Sequence, residues 1–272
     1  MRAARSLRND QMKNKNYIEP FLIVGNWKMN GDRELLQRFS YEIKTDAPHG
    51  CKQIICPPSV LVSSACDAFA DHCIEVGGQD SSQFVLGAFT GDVSPIMLVE
   101  AGARWTILGH SERRSAYSET SERVSEKAVA AIKAGLKPII CIGESAADRE
   151  SRNHLEVIID QLEASMPDNL KLGQATIAYE PVWAIGSGIS ASKYQVQEAH
   201  NAIAKWLEQY RVPLPILYGG SVKPSSAASL SSIQNVDGFL IGGASLDPKE
   251  FEIIGEIVAE TLGNSMKSAK LS

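Results

Sequence analysis

Ala175-Thr176-Ile177-Ala178-Tyr179-Glu180-Pro181-Val182-Trp183-Ala184-Ile185-Gly186-Ser187-Gly188 changes character at Glu180. The residues before it suit a β-strand buried on both faces, the pattern of a parallel strand covered by helices. The strand then ends in a carboxylate. Proline, apolar side chains and two glycines follow. A carboxylate at the end of a buried strand is where a general base belongs. A loop with a stiff start, a glycine-rich middle and apolar side chains can close over that base and exclude water.

Seven more apolar runs flank this one: 21–27, 53–56, 74–77, 105–108, 138–142, 216–218 and 238–241. Amphipathic helical patterns fall between them. After Thr120-Ser121, the residues Val124, Ala128 and Ile132 share one face, and Gly135 sits where a helix C-cap belongs. Ser192 with Gln195 reads as a capping box leading the stripe Val196, Ala199, Ile203 and Trp206. Asp247-Pro248 supplies an N-cap and a proline at the first helical position, ahead of Phe251, Ile254, Val258 and Leu262. Core packing explains these stripes. Eight strand signals alternating with helices predict an α/β fold, a single closed (βα)8 barrel over residues 20–265. An open doubly wound sheet is disfavoured: the first strand-to-helix turn carries no G-x-G-x-x-G.

Composition narrows the function class. The 272 residues are 44% hydrophobic and 22% charged, with a net charge of −5. That balance offers no basic field to nucleic acid or to a membrane surface. No apolar stretch reaches the ~18 residues of a membrane span. Five scattered cysteines without a CxxC spacing indicate neither a zinc site nor a disulfide framework, so no metal is expected and a cytoplasmic location is the default. Residues 1–19 carry five basic side chains up to Lys15, and residues 266–272 form a short tail. An Arg-rich presequence is one reading of the N-terminal segment. The reading taken is a disordered basic extension, or a true start at Met12.

In a barrel, chemistry gathers at the C-terminal ends of the strands. The first strand runs into Asn26-Trp27-Lys28-Met29-Asn30, which places a fixed positive charge at Lys28 and a neutral donor at Asn26. The fourth runs into Gly109-His110-Ser111-Glu112-Arg113-Arg114. His110 sits where the strand is expected to turn into a helix, where peptide dipoles and free N–H groups disfavour a positive imidazolium, and Glu112 can neutralise Lys28 and hold it. Arg113 and Arg114 read as structural or interfacial ion-pairing residues. The seventh and eighth strands end in Gly219-Gly220-Ser221 and Gly242-Gly243. Glycines there let backbone N–H groups approach a phosphate, which points to Gly186, Ser221, Gly242 and Gly243. His49, His72, His154 and His200 read as packed or surface residues.

With N-W-K-M-N, G-H-S-E-R-R, A-Y-E-P-V-W-A-I-G-S-G and the two Gly-Gly blocks in this order, the chain resembles the triosephosphate isomerases from about Phe21 to Leu262. That family is itself a worked case of a glutamate base beside a neutral histidine electrophile. The resemblance implies a TIM barrel with Glu180 as base and His110 and Lys28 as electrophiles. It implies Asn26, Gly186, Ser221, Gly242 and Gly243 as substrate-binding residues, and Ser111 and Glu112 in support. It further implies interconversion of dihydroxyacetone phosphate and D-glyceraldehyde 3-phosphate in glycolysis and gluconeogenesis, without a cofactor. A similar loop in the family, here Gly87-Ala88-Phe89-Thr90-Gly91-Asp92, projects into a second subunit, so a homodimer is expected. Ser187-Gly188-Ile189, Asp80, Asp92 and Arg104 depart from the family's usual residues. An isomerase of a larger ketose phosphate, such as a tetrulose phosphate, and a non-catalytic phosphate-binding barrel are the rival readings.

Overall fold

The computed structural model describes residues 19–271 apart from 169, 172, 186–189 and 211–212, with backbone alone at 210 and from 265 onward. The expected lid glycine Gly186 and the basic segment 1–18 therefore lie outside the described residues. Eight strands form one closed parallel barrel in sequence order: β1 (Phe21–Asn26), β2 (Cys51–Cys56), β3 (Ile74–Gly78), β4 (Trp105–Leu108), β5 (Lys137–Ile142), β6 (Thr176–Tyr179), β7 (Ile216–Tyr218) and β8 (Gly238–Ile241). β1 closes the ring by pairing with both β2 and β8, Leu22 standing opposite Lys52 on one side and Gly238 on the other.

Ten α-helices among the described residues surround the ring: α1 (Arg33–Glu42), α2 (Val62–Ala68), α3 (Pro95–Glu100), α4 (Ser111–Tyr117), α5 (Ser121–Ala134), α6 (Ala146–Glu150), α7 (His154–Ser165), α8 (Lys193–Tyr210), α9 (Pro224–Ser231) and α10 (Pro248–Leu271). Local chemistry sets their ends. The Thr120 hydroxyl accepts from the N–H of Arg123 at the start of α5, and Gly135 at φ 98° ends it in the left-handed region. The Ser192–Gln195 capping box is formed in both directions at α8, at 2.8 and 3.3 Å. Asp247 caps α10 through the N–H groups of Lys249 and Glu250.

Strand alternation divides the core into two layers. Leu22, Val24, Ile54, Cys56, Trp105, Ile107, Ile139, Cys141, Ala178, Leu217 and Leu240 fill the barrel interior. The intervening strand residues pack outward with the helices around Trp27, Phe39, Tyr179, Tyr218, Phe239 and Phe251. A packed interior leaves the mouth, where the strands end, as the place for polar side chains.

Candidate active site

β1, β4 and β6 deliver Lys28, His110 and Glu180 to one end of the barrel. Glu180 follows β6 directly and is 1% exposed. Its carboxylate stands at the start of α4, where one oxygen accepts the backbone N–H of Ser111 at 2.8 Å and the other lies 2.9 Å from Nε2 of His110. His110 is the N-cap of α4. Its Nδ1 accepts the backbone N–H of Glu112 at 3.2 Å, which fixes the tautomer: Nδ1 carries no proton, and Nε2 carries the one that donates to Glu180. The imidazole is thus a neutral hydrogen-bond donor on its inward side.

Lys28 reaches the same place from β1. Its ammonium donates to Glu112 Oε1 at 2.6 Å, while Glu112 Oε2 lies 3.6 Å from His110 Nδ1, so one carboxylate faces both the lysine and the imidazole. The Lys28 backbone is in the left-handed region at φ 52°, a conformation that a non-glycine residue keeps only when its surroundings enforce it. The enforcement is visible. Lys28 N–H donates to Asn26 Oδ1 at 3.0 Å, and Gln79 Nε2 donates to Lys28 O and Cys56 O at 2.8 and 2.9 Å. The Asn26 amide oxygen is used in that turn, which leaves its nitrogen for other partners.

β7 and β8 bring the remaining residues to the mouth. A Cβ on Gly242 would meet Lys28 Cε at 3.5 Å, which places the β8 end beside the lysine, and one on Gly243 would meet nothing within 4 Å. Ser221 and Gly243 are exposed and Gly242 is half-buried, all open to a ligand from the mouth.

Several contributors are not legible in a motif. Gly143, just past β5, lies so close beneath the base that a Cβ there would stand 1.8 Å from the Glu180 carbonyl oxygen. Glu144, fully buried, accepts at a single oxygen from Trp183 Nε1 at 2.7 Å, Tyr179 OH at 3.1 Å and Arg149 Nε at 2.7 Å. The residues on either side of Glu180 are therefore gripped by one atom. The available signal was Glu144's own position, a carboxylate just beyond an apolar strand.

Charge is also organised beneath the site. Asp80 bonds Lys127 at 2.8 and 2.9 Å and Arg113 at 2.8 Å, and Glu119 shares Lys127. Burial raises the Asp80 pKa despite those cations. Arg114 instead donates to Gly109 O, Ser121 Oγ, Cys141 O and Ser165 Oγ, and burial lowers its pKa. Burial, followed by the nearby Glu180 charge, holds the Cys141 thiol protonated. His200 packs edge-on against Tyr179 at 5.8 Å and donates from Nδ1 to Asn235 O at 2.8 Å; burial depresses its pKa to about 4. Among the described residues no three His, Cys, Asp or Glu side chains are grouped to hold a metal.

A closed parallel barrel whose mouth joins a buried carboxylate, a neutral imidazole and a clamped lysine defines a class: a (βα)8 enzyme equipped for proton transfer. The comparisons make it specific. The triosephosphate isomerase family model matches residues 21–258. A triosephosphate isomerase of Granulibacter bethesdensis is 46% identical over 88% of this chain and 99% of that protein. One from Ruegeria sp. (strain TM1040) is 45% identical over 88% and 96%. The crystal structure of triosephosphate isomerase from Bartonella henselae superposes with a TM-score of 0.79 at 40% identity, over 88% of this chain and 99% of that one. The chain belongs to the triosephosphate isomerase family.

Proposed function

We propose that this isomerase interconverts dihydroxyacetone phosphate and D-glyceraldehyde 3-phosphate, with Glu180 as the base. The observation that carries the reading is the Glu180 carboxylate lying between His110 Nε2 at 2.9 Å and the Ser111 N–H at 2.8 Å. Glu180 leaves these two donors, takes the proton from the carbon beside the substrate carbonyl and returns it to the neighbouring carbon. The freed His110 Nε2–H donates to the carbonyl oxygen, and Lys28, held by Glu112, stabilises the negative charge of the enediolate. The backbone N–H groups of Gly186, Ser221, Gly242 and Gly243 grip the phosphate. A proton moves within one substrate, so the chemistry calls for no electron carrier.

The fit of the whole chain to relatives bearing one name gives no support to a larger ketose phosphate. A coupled assay with D-glyceraldehyde 3-phosphate beside a tetrulose phosphate tests the substrate. Turnover of the triose at least about a hundredfold faster in kcat/KM is expected, since an extra carbon in a closed site costs on that order. Preference for the larger sugar overturns the reading.

We further propose a homodimer in the cytoplasm, working in glycolysis and gluconeogenesis. Phe84 and Phe89 stack at 4.1 Å at the surface, each 42% exposed, with Leu86 at 80%. Met29 beside the catalytic lysine is 96% exposed and Tyr117 68%, apolar area that a second copy would cover. No helix among the described residues is long and apolar enough to cross a membrane. Sedimentation at micromolar concentration tests the dimer.

A further inference from the structure

We infer that Glu198 and His154 are positioning residues for the general base, acting through Arg149. The inference rests on the assignment of Glu180 as base. Glu144 grips Tyr179 and Trp183, the residues that frame Glu180, but it is a fully buried carboxylate and its second oxygen has no hydrogen-bond partner. Such a group keeps its charge only beside a cation. Arg149 is that cation, with Nε at 2.7 Å.

The rest of the Arg149 guanidinium is equally committed. It lies over the Trp183 ring at 5.2 Å, and one nitrogen is 3.4 Å from Tyr179 OH. Its remaining nitrogen faces Glu198 Oε2 at 3.7 Å. Glu198 stands on α8, the helix that follows the base-bearing segment, and its Oε2 is bonded to His154 Nε2 at 3.1 Å. His154 is the first residue of α7, and its Nδ1 is buried without a partner. A continuous chain of polar contacts therefore runs from His154 to Glu198, Arg149, Glu144 and then Tyr179 and Trp183, which lie before and after Glu180 in the sequence. Motifs at strand ends do not expose it, because His154 and Glu198 belong to helices outside the barrel.

The charges give the chain its mode of action. Glu144 and Glu198 are two anions around one guanidinium. His154 supplies the second polar contact that holds the Glu198 carboxylate. His154 from α7 is bonded to Glu198 from α8, which in turn faces Arg149 from α6. Bonded to His154, the Glu198 carboxylate is held where it faces Arg149, and this keeps the guanidinium against Glu144 and the Trp183 ring. The grip on the base-bearing turn then depends on how firmly Glu198 and His154 hold the guanidinium.

The test compares full-length Glu198→Gln, Glu198→Asp and His154→Gln with the parent, using 5-fluorotryptophan and a Trp183 resonance identified by Trp183→Phe. His154→Gln moves the Trp183 resonance in the same sense as Glu198→Gln and lowers kcat with KM little changed, because it frees the Glu198 carboxylate that faces Arg149. Glu198→Gln lowers kcat about three- to tenfold with KM little changed and moves the Trp183 resonance, and Glu198→Asp recovers part of both, the size expected for coupling through a packed network. An unmoved Trp183 resonance and unchanged kcat in Glu198→Gln overturn the inference. A Glu180→Gln control separates the two claims. Turnover surviving in that control sinks the base assignment, while the Trp183 resonance still judges the coupling.

Discussion

Glu180 accepts the backbone N–H of Ser111, the residue that follows His110, at 2.8 Å. The Glu180 carboxylate is thus held by the same helix start that orients the His110 imidazole. The α4 N-terminus offers unpaired N–H groups. One, from Ser111, holds the carboxylate. The next, from Glu112, fixes the imidazole tautomer at 3.2 Å. A single short helix sets the positions of both the Glu180 carboxylate and the His110 imidazole.

Glu112 connects the lysine to this arrangement. The Lys28–Glu112 pair at 2.6 Å is partly open to solvent, with the carboxylate side chain 56% exposed. Screening keeps its contribution to stability below about 1 kcal/mol. Glu112→Gln is expected to leave the melting temperature nearly unchanged while kcat/KM falls by about tenfold or more, because the ammonium is no longer fixed beside the oxyanion. Steady-state kinetics beside a thermal melt check this. A variant with parental kinetics shows that Lys28 needs no such clamp.

Gly143 fixes the height of the base. A methyl group there would stand 1.8 Å from Glu180 O, so backbone must move. Gly143→Ala is expected to destabilise the fold by about 1–3 kcal/mol, the usual penalty of overpacking. A displacement of Glu180 near 1 Å lowers kcat by about a hundredfold in those molecules that fold. Urea unfolding and kinetics on the folded fraction report the two effects separately. Full activity in the alanine variant contradicts the close approach.

His200 predicts a pH dependence of stability. Its folded pKa is about 4, below the ordinary 6.5, because burial penalises the charged ring. The folded state therefore binds the proton less readily than the unfolded one. The stability conferred by the neutral ring is complete above pH 6.5 and is lost as pH falls from 6.5 toward 4. The full loss is about 3 kcal/mol, at roughly 1.4 kcal/mol for each tenfold change in proton affinity. His200→Gln is expected to be less stable at pH 7 but to lose stability less steeply between pH 7 and 5. Urea midpoints across that range measure it, and parallel slopes for parent and variant contradict it.

The fold was legible because a parallel barrel repeats one signal. Apolar runs such as 105–108 and 216–218 match β4 and β7 at both ends. The start of β2 was not, because Cys51-Lys52 carries a charge into the strand; Lys52 pairs with Glu75 on β3 at 2.7 Å, a contact no local pattern announces. At the site, Lys28, His110 and Glu180 stand in contiguous motifs at strand ends, and the structure gathers them through Glu112 and Ser111. Glu144 shows the limit. It carries the same local signal as Glu180, and only the tertiary contacts of Tyr179, Trp183 and Arg149 make it a clamp. Gln79 likewise becomes visible only when β1 and β2 bring Lys28 O and Cys56 O together.

The central claim is that Glu180 moves the proton. The most direct measurement is turnover of D-glyceraldehyde 3-phosphate by Glu180→Gln beside the parent, with binding of inorganic phosphate measured on both. The variant keeps the shape of the side chain and, through its amide oxygen, the contact with the Ser111 N–H, and it loses the basic oxygen that faces His110 Nε2. The predicted result is a fall in kcat of at least about a thousandfold, near the upper part of what a positioned general base contributes, with phosphate affinity nearly intact. Turnover within about tenfold of the parent contradicts the account.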